Sequence, residues 1–277
     1  MKKFIVRFLN VTSFIFFIYV ISLIDKTNLS LYRDSIIKNY GFFISAIFFL
    51  VISNLLIGLT WSTYIYETFM LKKTKSLRHW ITSYKAKYVP GKISAPILRI
   101  SDEIYSGKKK DLYFSILLEN LYLILGNIFL GSYIFVKNYY NFYIHLLLYF
   151  FLNFLIYLSS KQKLLNFNFC YFKKIYIIQF TNLLFLLGIY LALLSIETVN
   201  PFEYSLLYQL IVGGSMLFSV IPAGIGLREF GVLEMSNIVG LKIYSLEFIV
   251  IFLRIFLIFV DFIIIFTASL DGLRKVE

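Results

Sequence analysis

The sequence predicts an all-α integral membrane protein, a polytopic helical bundle that forms one transmembrane domain over residues 1–277. Sixty per cent of the residues are hydrophobic and the mean hydropathy is +0.80. Apolar runs of membrane-spanning length recur along the whole chain, and basic residues concentrate in the polar stretches between them. A soluble domain of this length would not carry so many apolar runs.

Seven apolar segments approach or exceed the roughly 20 residues that a helix needs to cross the hydrocarbon. They lie at residues 4–24, 41–66, 112–136, 142–160, 175–194, 203–221 and 246–268. We expect the first segment to be an uncleaved span rather than a signal peptide, because it is long and no small-residue cleavage site follows it.

Basic residues in the loops predict the orientation. Residues 67–88 contain Glu67 as their only acid, and residues 161–174 contain four lysines and no acid. The bases of the first stretch are Lys72, Lys73, Lys75, Arg78, Lys85 and Lys87. The positive-inside rule therefore places 67–111, 161–174 and the N-terminus in the cytoplasm. The shorter connections at 25–40, 137–141 and 195–203 then face outward from the cell membrane.

The sequence permits two positions for the C-terminus, inside or outside the membrane. Seven crossings would leave the C-terminus outside, whereas Arg274 and Lys275 favour the inside. Residues 222–245 either cross as a broken segment, which gives eight crossings, or form a re-entrant loop. In both cases we expect this region to be buried in protein, because irregular backbone is not tolerated against lipid.

Other function classes find little support. The net charge of +12 is explained by lysines on the cytoplasmic side, so nucleic acid is not expected as a partner. A single cysteine, Cys170, and two distant histidines, His79 and His145, do not predict a metal site. No phosphate-binding Walker sequence is present, and we expect no cofactor.

Two Pro/Gly segments, near 89–100 and 222–240, interrupt the apolar pattern. In the first, Pro90 and Gly91 open a turn and Arg99 follows. This segment is either part of a polar membrane interior or a cytoplasmic loop with a solvated arginine. Broken hydrophobic segments in both halves of a chain are typical of transport proteins.

The second segment predicts an anion pocket. Pro222 ends the preceding span, and Gly224 and Gly226 let the backbone approach a ligand closely. A helix from about residue 227 would then point its N-terminus toward the break, where Arg228 adds a positive charge. The alternative is an ordinary linker with a surface ion pair formed by Arg228 and Glu229. Glu229 pairs either with Arg228 or with another buried base.

Further charges lie within apolar spans. Arg254 and Asp261 are seven residues apart, so they share one helix face at a separation of about 10 Å. Glu119 lies about two turns into its own span. Ionisable residues at this depth must face the protein interior and find partners. The buried charges balance: three are positive and three are negative. They are Arg99, Arg228 and Arg254, and Glu119, Glu229 and Asp261. This balance suits either a structural network of ion pairs or a site at which an anionic headgroup replaces a carboxylate.

These elements, in this order, resemble the transmembrane domain of the lysylphosphatidylglycerol synthase/flippase family. That family has a Pro-Gly segment ending in Arg, a Glu near the start of a long span, a Pro-x-Gly-x-Gly-x-Arg-Glu segment, and an Arg in the last span. The matching residues are Pro90, Gly91, Arg99, Glu119, Pro222, Gly224, Gly226, Arg228, Glu229 and Arg254. The resemblance covers nearly the whole chain.

The resemblance implies a stand-alone membrane domain that moves a polar-headed lipid between leaflets, with those residues along the path. We add Asp261 to this set because it is a charge within the last apolar span. Because the sequence ends at Glu277, we expect no aminoacyl-transferase domain and no lysine transfer. We expect membrane lipids as partners, either anionic or linked to a sugar, and no enzymatic activity. Two alternatives stay open: a non-catalytic partner of a glycan- or lipid-modifying enzyme, and a membrane enzyme with Glu119 or Asp261 as its base.

Overall fold

A computed structural model describes residues 26–70, 72–84, 109–161, 175–217, 227–241 and 246–273. These residues form nine α-helices and no strand, which confirms the all-α class. The helices are α1 Lys26–Lys38, α2 Tyr40–Phe69, α3 Lys73–Tyr84, α4 Lys109–Val136, α5 Phe142–Lys161, α6 Ile175–Ser195, α7 Pro201–Leu217, α8 Leu227–Val239 and α9 Leu246–Leu273. The predicted span 4–24 lies outside the described residues.

Four of the described helices are long and apolar enough to cross a membrane. The qualifying stretches are Tyr40–Glu67, Ser115–Val136, Tyr176–Ser195 and Phe248–Phe266. Helix α5 adds a shorter apolar stretch, Phe142–Ile156. These helices indicate an integral membrane protein, as the sequence predicts. The number of crossings, seven or eight, stays a prediction.

Helix α1 corrects the expectation of a loop at 25–40. The segment contains neither glycine nor proline, and its apolar residues find partners on other helices. The Tyr32 ring stacks on Phe248 of α9 with a centroid distance of 3.7 Å, and Ile36 packs against the core. Packing of this kind stabilises a helix that propensity alone would not.

Helix α3 lies within the polar stretch 67–111, where no helix was expected. It is amphipathic: Trp80 and Ile81 are buried, whereas Lys75 and Arg78 are exposed. Trp80 lies against Gly58 of α2, where a Cβ atom would come within 2.7 Å of the indole ring. The wide apolar side chain therefore anchors α3 to the second half of α2.

The bundle is built around two closely packed helix pairs, α2 with α6 and α4 with α7. On α6, a Cβ at Gly188 would lie 2.6 Å from Leu50 Cγ of α2. On α4, a Cβ at Gly131 would lie 2.6 Å from the Leu210 nitrogen and 2.7 Å from the Leu206 oxygen of α7. Small residues allow membrane helices to approach in this way.

Helices α7 and α8 form an antiparallel hairpin. Near the end of α7, Ser215 Oγ accepts a hydrogen bond from Arg228 Nε at the start of α8. At the other end, Tyr204 Oη near the start of α7 donates to the Leu241 oxygen, which follows α8. The chain therefore returns to the level at which α7 begins before it enters α9.

Ion pairs bring the three predicted outward connections to one end of the bundle. Lys38 Nζ lies 2.9 Å from Glu197 Oε1, and Lys137 Nζ lies 2.7 Å from Glu203 Oε1. The connections at 25–40, 137–141 and 195–203 thus share one end, as an alternating set of crossings requires.

Helix α5 carries the most exposed apolar surface. Nine of its large apolar side chains are exposed: Tyr143, Ile144, Leu147, Leu148, Phe150, Phe151, Leu152, Phe154 and Leu155. A surface of this kind is costly in water and favourable in hydrocarbon. It is typical of a helix that faces lipid.

Candidate functional site

A cavity of about 110 Å³, with both apolar and polar lining residues, lies between six of the described helices, α2, α4, α6, α7, α8 and α9. Apolar side chains such as Ile57, Leu123 and Phe185 form part of its wall. Its polar lining residues are Ser53, Asn54, Asn127, Thr181, Asn182, Arg228, Arg254 and Asp261. The cavity can hold several water molecules or one small polar group.

The charged lining residues lie at membrane depth. At about 1.5 Å per residue, Arg254 lies about 12 Å and Asp261 about 22 Å from the first residue of α9. Within the apolar stretch Phe248–Phe266 each of the two residues lies about 8–9 Å from the nearer end, so neither side chain is at an interface if α9 crosses the membrane. Both are buried in protein, with 7% and 3% exposure, as the sequence predicts.

Arg228 is the second residue of α8, the helix predicted to start near residue 227. Its Nε donates to Ser215 Oγ over 3.0 Å, and the residue is 7% exposed. This bond uses one of the five N–H groups of the guanidinium. The hairpin between α7 and α8 therefore holds a fully charged donor group at the cavity wall.

Glu229 pairs with Arg254 rather than with Arg228. The distance from Arg254 Nε to Glu229 Oε1 is 3.7 Å, and the two side chains are 8% and 11% exposed. The ion pair connects α8 to α9. The sequence left open whether Glu229 pairs with Arg228 or with another buried base. In the structure Glu229 pairs with a buried base on another helix, and the pair is not on the surface.

The other predicted site residues divide into two groups. Glu119 on α4 is 3% exposed and faces the interior as expected, but it is not among the residues that line the cavity. The remaining six lie outside the described residues: Pro90, Gly91, Arg99, Pro222, Gly224 and Gly226. The structure thus brings Arg228, Glu229, Arg254 and Asp261 together.

A cluster of buried amides borders the cavity and was not predicted. Gln209 Nε2 of α7 donates to Asn127 Oδ1 of α4 and to the Asn182 oxygen of α6, each over 2.9 Å. Gln209 is fully buried. This side chain ties three helices together at the level of the cavity.

The amide cluster extends to α5. Tyr149 Oη donates to Gln179 Oε1 and, over 3.2 Å, to the Gln179 oxygen. Gly126 of α4 provides the space, because a Cβ there would overlap the side chains of Asn182 and Gln179. Interhelical hydrogen bonds of this type each contribute about 0.6 kcal/mol or more in a membrane.

The wall formed by α2 and α6 presents hydrogen-bond acceptors. Ser53 Oγ donates to the Thr181 oxygen over 3.0 Å, and Thr181 Oγ1 donates to the Ile178 oxygen over 2.6 Å. Asn54 Nδ2 donates to the Leu50 oxygen over 2.9 Å. These donors are engaged with backbone, and the hydroxyl oxygens of Ser53 and Thr181 retain lone pairs that can accept.

Single polar residues within apolar runs were the available signal for the amide cluster. Asn127, Asn182 and Gln209 each lie in the middle of a span, where a polar side chain must face protein. None belongs to a charge pair or a motif, so the sequence does not show which helices they connect.

No family model, curated protein or solved structure matches this chain. The buried charges, the amide cluster and the cavity are therefore the features from which a function can be inferred.

Proposed function

We propose that this protein is a lipid translocase of the cell membrane that moves a polar-headed phospho- or glycolipid between leaflets. The polar headgroup passes through the interior of the bundle while the acyl chains stay in lipid. The resemblance to the lysylphosphatidylglycerol synthase/flippase membrane domain suggests the same function.

One observation carries this proposal: a cavity at membrane depth is lined by Arg228, Arg254 and Asp261. Moving a charged headgroup through hydrocarbon unaided costs many kcal/mol, because the charge loses its hydration. A cavity that already holds charges of both signs lowers this cost. Arginine suits the phosphate, since its planar guanidinium binds two oxygens at once and stays charged.

The ion pair between Arg254 and Glu229 provides an exchange mechanism. At 3.7 Å the two groups are in loose contact, and an arriving phosphate can replace the carboxylate as the partner of the guanidinium. The site then alternates between an internal pair and a headgroup complex. With no ATP-binding motif in the sequence, transport follows a gradient, is coupled to an ion, or depends on a partner.

The helix hairpin of α7 and α8 suggests on which side of the membrane α9 begins. Helix α8 is about 20 Å long and too short to cross alone, but the chain returns to the level of Tyr204 before α9 begins. Whether α7 and α8 both cross or both re-enter, α9 then starts at the outer end. We propose that the N- and C-termini are both cytoplasmic.

The three candidate functions predict different effects of the same substitution. A non-catalytic partner of a glycan- or lipid-modifying enzyme should tolerate Arg254→Gln as long as it folds. A membrane enzyme should lose activity, and its lipid should be chemically changed. A translocase should lose transport of an unchanged lipid.

The test uses purified protein in vesicles that contain phospholipids or polyprenyl-linked lipids with a fluorescent label on one chain. Quenching of the outer leaflet reports the exchange rate for wild type, Arg228→Ala and Arg33→Ala. Arg33 is the matched control because its side chain is 70% exposed and it is not among the residues that line the cavity. We expect Arg228→Ala to reduce flipping about tenfold or more, since a charged hydrogen-bond donor is removed.

Flipping that survives Arg228→Ala unchanged would contradict a route through this cavity. If wild type flips none of the lipids and leaves them chemically unchanged, the proposal is wrong and a partner-dependent role is favoured. Recovery of a modified lipid would favour the enzyme.

A further inference from the structure

Helix α3 carries a basic face that the proposed transport function does not use. Lys72, Lys73 and Lys75, at the start of the helix, are exposed, whereas Trp80 and Ile81 further along are buried. None of the three lysines is among the described residues that line the cavity. This face is therefore available to a partner other than the transported lipid.

Helix α3 folds back along the second half of α2. Ser76 Oγ lies 3.3 Å from the Ser62 oxygen, and Trp80 lies against Gly58. A later residue of α3 thus meets an earlier residue of α2, so the two helices are antiparallel. The start of α3 then lies beside the end of α2.

The length of α2 places the start of α3 among lipid headgroups. The apolar stretch Tyr40–Glu67 has 28 residues and is therefore about 42 Å long. This length matches a bilayer together with its headgroup regions, which occupy about 5–8 Å on each side. Lys73 Nζ lies 5.3 Å from the centroid of the Tyr66 ring, in the last turn of α2. The lysines are thus at headgroup level, at the end of α2 opposite to Lys38.

Protein groups do not neutralise this basic face. Residues 67–84 contain four bases and Glu67 as their only acid. In the part of the chain that the structure describes, the ammonium groups of Lys72, Lys73 and Lys75 form no ion pair. Anionic lipids give a membrane surface a negative potential, which attracts exposed bases at this level.

The opposite face of α3 fixes the helix in position. The Trp80 indole lies in the space left by Gly58, and Leu77 packs against the core. Because this apolar face is buried against protein, it cannot insert into lipid as the apolar face of an isolated amphipathic helix does. The bundle therefore holds the three lysines outward at a defined depth.

We propose that the basic face of α3, formed by Lys72, Lys73 and Lys75, binds the phosphodiester headgroups of anionic phospholipids at the membrane surface. In the proposed orientation this is the surface of the cytoplasmic leaflet. An acidic protein segment has suitable charge as well. Lipid is the favoured partner, because headgroups surround this level of the bundle.

The experiment reads the lipid next to α3 with a fluorophore on Thr74→Cys in a Cys170→Ser background. Thr74 is exposed and lies between the lysines. The full-length protein is placed in phosphatidylcholine vesicles with a small fraction of phosphatidylglycerol or phosphatidylcholine that carries a quenching spin label on the acyl chain, near the headgroup. Each probe is present in both leaflets, so the result depends neither on the orientation nor on transport.

We expect the glycerol lipid to quench at a concentration about tenfold lower than the choline lipid at low salt. Each base near an anionic surface strengthens its attraction about fivefold. The preference should shrink in 1 M NaCl, where the screening length falls to about 3 Å. Equal quenching by the two lipids at low salt would overturn the inference and favour an acidic protein segment as the partner.

Two triple variants test the origin of the preference. Lys72→Gln, Lys73→Gln and Lys75→Gln together should reduce it to about threefold or less. Arginine at the same three positions keeps the charge and is the matched control, which should preserve the preference. Both variants should unfold at the wild-type temperature, because the side chains are exposed and the three residue types have similar helix propensities. A preference that survives in the glutamine variant would overturn the assignment to this face, and neither result bears on transport through the cavity.

Discussion

Individual buried charges determine both the stability of the bundle and its proposed chemistry. Arg254 and Glu229 lie on different helices, are nearly inaccessible and form an ion pair between α8 and α9. Breaking such a pair leaves a charge with weaker compensation in a low-dielectric environment. The energetic effect is therefore much larger than that of a surface pair.

Glu229→Gln should lower the free energy of unfolding by about 2–3 kcal/mol, because Arg254 loses a buried carboxylate partner. Thermal unfolding in detergent measures this as a lower midpoint. Glu234→Gln is the matched control on the same helix, since Glu234 is exposed, and its midpoint should stay within the error of wild type. Equal midpoints for both variants would show that the ion pair does not stabilise the fold.

The sequence identifies buried charged residues better than buried amides. An arginine or aspartate in an apolar run must be buried and paired, so Arg254 and Asp261 could be identified directly. For Arg228 and Glu229, in the Pro/Gly segment, the sequence left a pocket and a surface ion pair as alternatives. Asn127 and Gln209 give a weaker signal, because an amide costs less to bury and its partner can be any backbone group. The pairing of Glu229 with Arg254 depends on the hairpin, which no local pattern reveals.

Close packing at glycine sets the distance between two of the helices that line the cavity. Helices α4 and α7 contribute Asn127, Val212 and Met216 to the lining, and their contact at Gly131 brings backbone against backbone. A side chain at this position would force the two helices apart.

Gly131→Ala should destabilise the protein by about 1–3 kcal/mol, because the new Cβ would meet the backbone of α7 at 2.6–2.7 Å. Gly214→Ala is the control. No atom of another element lies within 4 Å of a Cβ at that position, so the helix propensity of alanine should leave stability unchanged or raise it by about 0.5–1 kcal/mol. Thermal unfolding of both variants distinguishes the effect of packing from the effect of propensity, and a stabilised Gly131→Ala would contradict the close contact.

The contact between α1 and the turn after α6 should depend on pH. Hydrogen bonds from Lys38 and then Asn39 lower the pKa of Glu197 from its ordinary value of 4.5. The contribution of this carboxylate is therefore complete above pH 4.5 and is lost as the pH falls through the lower, folded-state value. The hydrogen bond to Glu197 raises the pKa of Lys38, whose contribution is complete below its ordinary value of 10.5 and is lost only above it.

Carboxyl chemical shifts measured by NMR in detergent should give Glu197 a titration midpoint below 4.5. Lys38→Gln should raise that midpoint, because the main hydrogen-bond donor loses its charge. A midpoint that does not move would show that the 2.9 Å contact is not maintained in solution. Since both side chains are largely exposed, we expect little change in overall stability.

Over the whole molecule, hydropathy predicts the class and most helix positions, but not the path of the chain. The predicted spans at 41–66 and 175–194 coincide closely with α2 and α6. Helices α1 and α3 were missed because their moderate polarity resembles that of loops; contacts such as Tyr32 with Phe248 and Trp80 with Gly58 stabilise them. The return of α8 to the level of Tyr204 is a tertiary feature, and it changes the side on which α9 begins.

The resulting topology can be tested with single cysteines in intact cells. Cys170→Ser removes the only native thiol, and cysteines are then introduced by Tyr139→Cys, Lys75→Cys and Lys275→Cys. Tyr139 is 84% exposed and lies in the connection from α4 to α5, so a membrane-impermeant maleimide should label it without permeabilisation. The other two positions should react only after permeabilisation, because the basic stretch and the end of α9 are on the cytoplasmic side in the proposed orientation.

Labelling of Lys275→Cys from outside, with Lys75→Cys still protected, would mean that α9 does not run from the outer end inward. The hairpin of α7 and α8 would then not return the chain to the outer side. Labelling of Lys75→Cys from outside with Tyr139→Cys protected would instead invert the whole bundle and leave the helix packing unaffected.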